Sequence, residues 1–378
     1  MKTKSSKIID SVCKWGGSSL ASGSLAKNVA NNIKDNSIKV AIFSAPGKRN
    51  KEDIKVTDLL ASIKSYSKDN NQKAIDDTFL ILKDRYEEIA SALNIKIDIE
   101  KTLQKIKAEY QKTSDNSYLL SRGEWLMSKI MAKHLGFHFA DAKNIIVFDK
   151  NGKLKSKTYE NIRAITKKYK SVVFPGFYGG YRGKVKIFSR GGSDITGAIV
   201  AKALSKNYIN FTDIDGVYST YPITKKSKKL KSISYSNIKF LGLFGFSVLH
   251  HKCSDILSDT NLKTTIKSTF EPQKCGTTVK SNCDCIFAST NINALLVCHK
   301  SDIYKNLTSK KIFVLLNYKF LDSYFYLVPM SEKQALNNLN LNSVKVLVNA
   351  KVSKKNPRGY LPLGDNRYIK IEVLSDES

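Results

Sequence analysis

The stretch Phe188–Tyr218 reads FSRGGSDITGAIVAKALSKNYINFTDIDGVY. It opens with Ser189-Arg190-Gly191-Gly192-Ser193-Asp194, a short polar turn carrying one cation and one carboxylate. Apolar residues then recur at Ile195, Ala198, Ile199, Ala201, Ala203 and Leu204, a spacing that predicts a helix. A β-like run, Tyr208–Phe211, ends in the acidic turn Thr212-Asp213-Ile214-Asp215-Gly216. Turn, helix, strand and acidic turn in that order suit an α/β nucleotide site, where a glycine turn and a helix N-terminus hold phosphate. A mere glycine-rich surface turn would leave Arg190 and Asp194 without a purpose.

The N-terminal segment repeats the theme. A strand expected over Ile8–Cys13 runs into Lys14-Trp15-Gly16-Gly17-Ser18-Ser19. Two glycines there let the chain turn tightly and present bare backbone N–H groups to a ligand. Lys14 stands where an ammonium can reach a transferring phosphoryl group. The P-loop pattern GxxxxGK[ST] is absent from the sequence. Leu20, Leu25, Val29 and Ile33 predict a helix over 20–36, and a second strand over Lys39–Phe43 leads to Ser44-Ala45-Pro46-Gly47. Strand, glycine turn, helix and strand open a βαβ unit.

Further along, residues 50–113 read as lysine-rich packing helices without chemistry, one of them capped by Thr57. The run Ser121-Arg122-Gly123-Glu124 begins another predicted helix, with Glu124 in its first turn, where the helix dipole favours a carboxylate. Glu124 there either stabilises the helix or holds the amino group of a small substrate. His134 and His138 are four apart but lack the acidic partner of a zinc helix, and read as structural or exposed. A basic connector follows over 149–159, then a strand over Val172–Phe174 ending in Pro175-Gly176-Phe177. Several strands thus end at glycine turns, the pattern of a ligand crevice along the carboxyl edge of a sheet.

Composition bounds the classes. The 378 residues are 42% hydrophobic, enough for a large domain and a smaller one. No apolar run reaches membrane-spanning length, and the N-terminus lacks a signal-peptide core, so a cytoplasmic protein with no membrane partner is expected. Cys13, Cys253, Cys275, Cys283, Cys285 and Cys298 read as reduced thiols, and the spacing of Cys283 and Cys285 is not that of a zinc site. The net charge is +30, from 63 Lys and Arg against 33 Asp and Glu. The lysines are spread end to end without aromatic interleaving, so no specific nucleic-acid partner is expected. A basic nucleic-acid interaction protein is the alternative from a different class, and the same charge would attract anionic substrates.

With these pieces in order, the chain resembles aspartokinases, members of the amino acid kinase family. The matching segments are Lys14–Ser19, Arg122-Gly123-Glu124, Pro175-Gly176-Phe177, Arg190–Asp194, Thr212–Tyr218 and Phe244–His250. The resemblance implies a three-layer α/β/α fold with a mostly parallel central sheet. It also implies transfer of a phosphoryl group from MgATP to the side-chain carboxylate of L-aspartate, with ATP and Mg2+ as cofactors. Carried over residue by residue, it gives Lys14, Ser44 and Asp194 catalytic roles. Ser44, Glu124, Arg190 and Ser193 would bind substrate, with Glu124 on the α-amino group and Arg190 on the α-carboxylate. Lys14, Gly16, Gly17, Ser18, Thr212, Asp213 and Tyr218 would line the nucleotide, and no dedicated metal ligands are expected. A kinase for another small acid, such as N-acetylglutamate, is the enzymatic alternative.

The chain departs from the family pattern twice. Ile223 follows Tyr221-Pro222 where an arginine is common, and Ser247 precedes Val248-Leu249-His250 where a lysine is common. Both remove positive charge expected near the nucleotide phosphates, and Lys225, Lys226 and Lys252 stand nearby. The resemblance places a catalytic domain over 1–279. A reduced ACT-like α+β regulatory and dimerisation domain is expected over 280–378, making a homodimer. Strands are predicted at Ala294–Val297, Ile312–Leu316, Tyr324–Val328 and Val344–Val348, with a helix over Glu332–Leu339.

Overall fold

The computed structural model describes residues 9–188, 191–218, 228–235, 237–238, 248–281, 290–299, 304–309, 312, 314, 316–320, 323–329, 344–353, 361–364 and 367–373. The chain divides into two compact units, Met1–Gly216 with Lys252–Ser281, and Val217–His251 with Asn282–Ser378. Residues 217–251 thus group with the C-terminal strands.

In the first unit, β1 (Ser11–Trp15) leads through a 3-10 turn (Gly17–Leu20) into α1 (Gly23–Asp35) and β2 (Val40–Phe43). The helices α2 (Val56–Lys68), α3 (Gln72–Ala92), α4 (Ile99–Thr113) and α5 (Asn116–Leu135) follow. Then come β3 (His138–Phe139), α6 (Ala142–Ile145), α7 (Lys157–Lys168) and β4 (Val172–Pro175). The hairpin of β5 (Tyr178–Tyr181) and β6 (Lys184–Ile187) leads to α8 (Gly192–Leu204) and β7 (Asn207–Thr212). In the second unit lies β8 (Ser232–Ser234), after which α9 (His251–Leu257), β9 (Thr264–Ser268) and β10 (Thr277–Lys280) complete the first.

The strands of the first unit lie in the order β3-β4-β2-β1-β7-β9-β10. All pair in parallel except β10, which is antiparallel to β9. This is the expected mostly parallel sheet between helical layers. The inner strands β2 and β4 are apolar throughout because both faces are covered. Period-2 alternation sorts the residues of the sheet. Cys13, Trp15, Ala41, Phe43, Val173 and Phe211 face the core shared with α1 to α5. Trp15 stacks between Phe43 and Phe211, with ring centroids 5.6 and 5.0 Å away. α8 covers the opposite face, touching β1, β2 and β7, and α7 packs on α8.

Several local expectations shift. The helix expected over 20–36 starts at Gly23, because Ser22 caps it by accepting from the Leu25 N–H. Thr57 is inside α2 rather than capping it; Lys55 occupies the cap position, without a side-chain bond. The helix expected from Ser121 begins five residues earlier, at Asn116, where Asp115 accepts from Ser117 and Tyr118. The connector 149–159 runs into α7, an unanticipated helix.

The second unit holds a six-stranded antiparallel sheet. Its strands are β11 (Thr290–His299), β12 (Leu316–Phe320), β13 (Ser323–Pro329), β14 (Val344–Ser353), β15 (Leu361–Gly364) and β16 (Arg367–Val373). Their order is β12-β13-β11-β14-β16-β15. A short helix, α10 (Tyr304–Ser309), is the one helix among its described C-terminal residues, which are otherwise β-rich. The strand expected over Ile312–Leu316 instead begins at Leu316, because the Ile312 N–H turns back to the Leu307 carbonyl after α10. β15 and β16 were not anticipated, and the helix expected over Glu332–Leu339 lies outside the described residues.

Close packing of α8 on β7 gives a direct test. A Cβ on Gly197 would stand 2.5 Å from the ring of the buried Tyr208. Gly197→Ala should therefore destabilise the protein by about 1–3 kcal/mol, outweighing the gain of about 1 kcal/mol in helix propensity. A lowered urea midpoint of the full chain checks this, and an unchanged or raised midpoint contradicts it.

Candidate functional site

Four parallel strands end side by side, and backbone hydrogen bonds carry their ladder past the strand ends. The Gly176 N–H donates to the Phe43 carbonyl at 3.0 Å, and the Ser44 N–H to Trp15 at 3.2 Å. The Gly16 N–H donates to Phe211 at 3.2 Å, and the Thr269 N–H to Thr212 at 2.8 Å. Gly176, Ser44, Gly16 and Thr212 consequently form one row at the carboxyl edge, where open α/β sheets place ligands.

Lys14 stands in this edge on the α8 face. Its ammonium contacts Asp194 Oδ1 at 2.6 Å and donates to Asn210 Oδ1 at 3.1 Å. The contact is almost dry, with side-chain exposures of 9% for Lys14 and 12% for Asp194. Asn210 pairs in register with Lys14 across β1 and β7, so a neighbouring strand supplies the second acceptor. The sequence reading missed Asn210. Its signal is an amide set within the otherwise apolar and aromatic run Tyr208–Phe211. A Cβ on Gly16 would lie 3.4 Å from Lys14 Nζ, so this residue sits directly against the ammonium.

The neighbouring loops are built by backbone packing. The Gly47 N–H donates to the Gly17 carbonyl at 2.8 Å. A Cβ on Gly47 would fall 2.6 Å from Gly17 backbone, so these two loops touch at distances only glycine allows. Ser18 lies in the same 3-10 turn, and the following Ser19 hydroxyl bonds to Thr269 Oγ1 at 2.6 Å.

α8 begins at Gly191, whose φ of 75° is left-handed and which makes no side-chain cap. Among the described residues no side chain caps the N-terminus of this thirteen-residue helix, with Ser193 and Asp194 in the first turn. Gly176 makes room for Ser193, since a Cβ there would stand 2.4 Å from the serine hydroxyl. Phe177 takes a left-handed φ of 79°, costly for a bulky residue, and its N–H donates to Thr196 Oγ1 at 3.2 Å.

Glu124 requires a correction. It lies in the interior of α5, not in its first turn, so the helix dipole does not explain it. It is 3% exposed, and its Oε2 finds no hydrogen-bond partner among the described residues. Burial pushes its carboxyl up to about 8, opposed by its own backbone N–H, that of Ala45 and the charge of Arg122. Gly123 brings α5 in close, because a Cβ there would meet Ala45 Cβ at 2.8 Å. Glu124 thereby sits beside the residue following Ser44. Arg122 is held among Tyr118, Trp125 and Tyr178, its guanidinium 4.5, 5.0 and 5.6 Å from their ring centroids.

The first unit thus brings together Lys14, Asp194, Gly16, Gly17, Ser18, Ser44 and Ser193 at or beside the row of strand ends. Thr212 closes that row, its hydroxyl on the Asp213 carboxylate at 3.0 Å. Tyr218 belongs to the second unit, in a bridge with Lys229. Arg190, Ile223, Lys225, Lys226 and Ser247 lie outside the described residues, and Lys252 is exposed on α9. His134 and His138 have structural contacts: Nδ1 of His134 is 2.8 Å from the Leu93 carbonyl, and His138 stacks on Tyr169. Cys13 and Cys253 are free thiols, and burial pushes both up and away from reactivity.

The buried Glu124 makes stability depend on pH. Its folded carboxyl titrates near 8 against an ordinary value of 4.5. The proton held by the folded chain favours folding fully below 4.5, and that advantage is lost as pH rises to about 8, then stays constant. The total is on the order of a few kcal/mol. Glu124→Gln should remove this slope, so melting curves of variant and parent should converge near pH 4.5 and separate by pH 8.5, the variant melting higher. Parallel curves across that range would contradict the assignment.

Comparison with known proteins agrees with this geometry. Residues 11–268 match the amino acid kinase family. Aspartokinase 3 of Bacillus subtilis is 32% identical over 296 residues, covering 72% of this chain and 64% of that protein's length. The crystal structure of Clostridium acetobutylicum aspartate kinase superposes with a TM-score of 0.76 at 28% identity, covering 96% of this chain and 95% of that one. Escherichia coli aspartokinase III, solved with aspartate and ADP, shares the fold with a TM-score of 0.78 at 16% identity, over 95% of each chain. The glycine-lined row of strand ends, the buried lysine at its centre and the match across more than half the sequence together establish that this chain belongs to the amino acid kinase family, among its aspartokinase-like members.

Proposed function

We propose that the chain is an ATP-dependent aspartate kinase. It transfers the γ-phosphoryl group of MgATP to the side-chain carboxylate of L-aspartate, giving 4-phospho-L-aspartate and ADP. This is the first step toward lysine and diaminopimelate, threonine and methionine, carried out in the cytoplasm. The observation carrying the reading is the buried contact of Lys14 with Asp194 near the C-terminal end of β1, beside bare glycine loops and the glycine-led start of α8.

The chemistry asks for positioning and positive potential rather than a base, because the substrate carboxylate is already ionised near neutral pH. Lys14 supplies a cation for the charge that develops on the transferring phosphoryl oxygens. Asp194 and Asn210 hold that ammonium in one orientation. Gly17 and Ser18 offer backbone N–H groups to the nucleotide phosphates, Gly16 lets the nucleotide approach while its own N–H stays on Phe211, and Thr212 and Asp213 line the nucleoside side. Mg2+ would come with the nucleotide, would need no all-protein cage, and would supply positive potential at the phosphates.

Glu124 takes the substrate ammonium, which pairs the Oε2 left unpartnered among the described residues and returns the carboxyl to its ionised form. That preference separates aspartate from an N-acylated acid, which has no ammonium to offer. Ser44 and Ser193 contact the acid, and Arg190 binds its α-carboxylate. With Ile223 and Ser247 in place of common cations, Lys14 carries an enlarged share of the phosphate charge. Residues 1–279 form the catalytic domain, and the β-rich 280–378 region acts as an ACT-like module that regulates the enzyme and joins a homodimer.

Purified protein should form ADP only with MgATP and L-aspartate together, and hydroxylamine should trap aspartyl hydroxamate. ADP release without trapped product would refute the assignment. Lys14→Ala should lower kcat at least roughly 100-fold, on the order of 3 kcal/mol, with little change in the KM for aspartate. A folded variant with near-normal kcat at saturating substrates would rule out the role given to Lys14.

A further inference from the structure

α3 lies in the lysine-rich stretch to which the sequence assigns no chemistry, yet three residues of one turn reach three segments of the site. Arg85 Nη1 donates to the Gly47 carbonyl at 2.8 Å, in the loop that follows Ser44. Its Nη2 contacts both oxygens of Asp53 at 2.5 and 2.6 Å, at the far end of that loop. Tyr86 donates its hydroxyl to the Gly123 carbonyl at 2.8 Å, beside Glu124 on α5. Glu88 accepts from the Gly23 N–H at 2.8 Å, at the start of α1 just beyond the Gly16–Ser19 loop.

Helix geometry explains how one turn serves three directions. Successive residues rotate by about 100°, so Glu88, Arg85 and Tyr86 fan across an arc of roughly 160°. α1 lies against one side of that arc, the 47–54 loop against its middle and α5 against the other side. The contacts are close: a Cβ on Gly23 would fall 2.4 Å from Ala92 Cβ, at the end of α3. Arg85 is fully enclosed, with a side-chain exposure of 0%. Burial works against ionisation of Asp53, but its bonds to Arg49 and the charge of Arg85 overcome this and draw its carboxyl down to about 2. Burial pushes the Tyr86 hydroxyl well up, with the nearby Glu124 charge adding to it, so Tyr86 remains a donor.

We infer that Arg85, Tyr86 and Glu88 are positioning residues for the transfer reaction: α3 is a bracket that fixes the two glycine loops and Glu124 relative to one another. Their place in this reaction rests on the function proposed above; the bracket itself rests on the contacts. Arg85 holds Gly47, whose N–H in turn holds Gly17, so its effect passes to the loop covering Lys14. Tyr86 acts on the amino-acid side through α5. Lysine cannot replace Arg85, because one ammonium cannot reproduce the planar fork that serves a carbonyl and a carboxylate at once.

The test uses the full chain with Arg85→Lys, Tyr86→Phe, Glu88→Ala and Glu88→Gln. Amide hydrogen exchange is followed in segments 16–23, 44–55 and 116–127, alongside melting temperature and steady-state kinetics. Arg85→Lys should accelerate exchange in 44–55 and 16–23 and lower kcat roughly 10- to 100-fold, leaving the KM for aspartate nearly unchanged. Tyr86→Phe should instead raise that KM several-fold and leave kcat close to wild type. Glu88→Ala should loosen 16–23, and Glu88→Gln should restore it because the amide oxygen still accepts from Gly23. Should Arg85→Lys fail to fold, the Tyr86 and Glu88 variants still decide.

Lower melting temperatures with unchanged kcat and KM would overturn the inference, as would equal loosening of every segment or no restoration by Glu88→Gln. If the parent protein shows no phosphotransfer, the proposed function fails, while selective loosening of the loops still supports the bracket and its absence still refutes it.

Discussion

The buried contact of Lys14 with Asp194 and Asn210 constrains the rest of the first unit. An ammonium taken out of water is costly unless it is paired and hydrogen-bonded. Alternation along β1 turns Trp15 to the apolar core and Lys14 to the other face, so the partners of Lys14 must come from whatever covers that face. Two elements provide them: β7, in parallel register at Asn210, and α8, whose first turn supplies Asp194. The left-handed Gly191 that starts α8 therefore serves electrostatics as well as chain direction. A buried ion pair of this kind is weak evidence for stability and better understood as a fixed orientation of charge.

Much of this was legible because its signals are local. Lys14 before two glycines, the polar turn preceding α8 and the alternation along the strands are all contained in short windows. What escaped depends on distant partners. Asn210 is 196 residues from Lys14, Arg85 is 38 from Gly47, and Glu88 is 65 from Gly23. No window of sequence contains both ends of these bonds. The start of α5 was misplaced for a related reason. Asp115 is an ordinary cap, but the apolar pattern of the helix becomes obvious only near Trp125, and the intervening polar residues point toward α5's own buried partners. In the second unit, hydrophobic strands were recognisable one at a time, whereas the shift to Leu316 follows from a backbone bond after α10 that composition does not encode.

The high positive charge and the site act on different scales. The formal charge of +30 is spread over the chain and at physiological ionic strength is screened within about 8 Å. It can raise the local concentration of an anionic substrate without choosing among anions. Choice requires groups whose desolvation has already been met by the fold. Lys14 has its two acceptors, and Arg122 is held against three aromatic rings. Glu124 is the opposite case, a buried carboxyl with an oxygen left unmatched among the described residues. A cationic group on a ligand would complete it, so the same burial that disfavours its charge in the free protein favours a partner of the right sign.

Phosphoryl transfer to a carboxylate gives a protein little covalent work, and the architecture reflects that demand. The parts nearest the strand ends are mainly backbone: Gly16, and Gly17, Gly47, Gly176 and Gly192 at the start of α8, the last four packed at distances that exclude side chains. Backbone of this kind is permissive by itself, since glycine gives up more conformational freedom on folding than any other residue. Its rigidity has to be supplied from outside the loops. Gly17 and Gly47 bind one another, and Gly47 is then held by a guanidinium that is itself fixed by Asp53. The side chains that make the loops precise enough for in-line chemistry therefore sit one layer behind them, on a helix whose surface sequence looks ordinary.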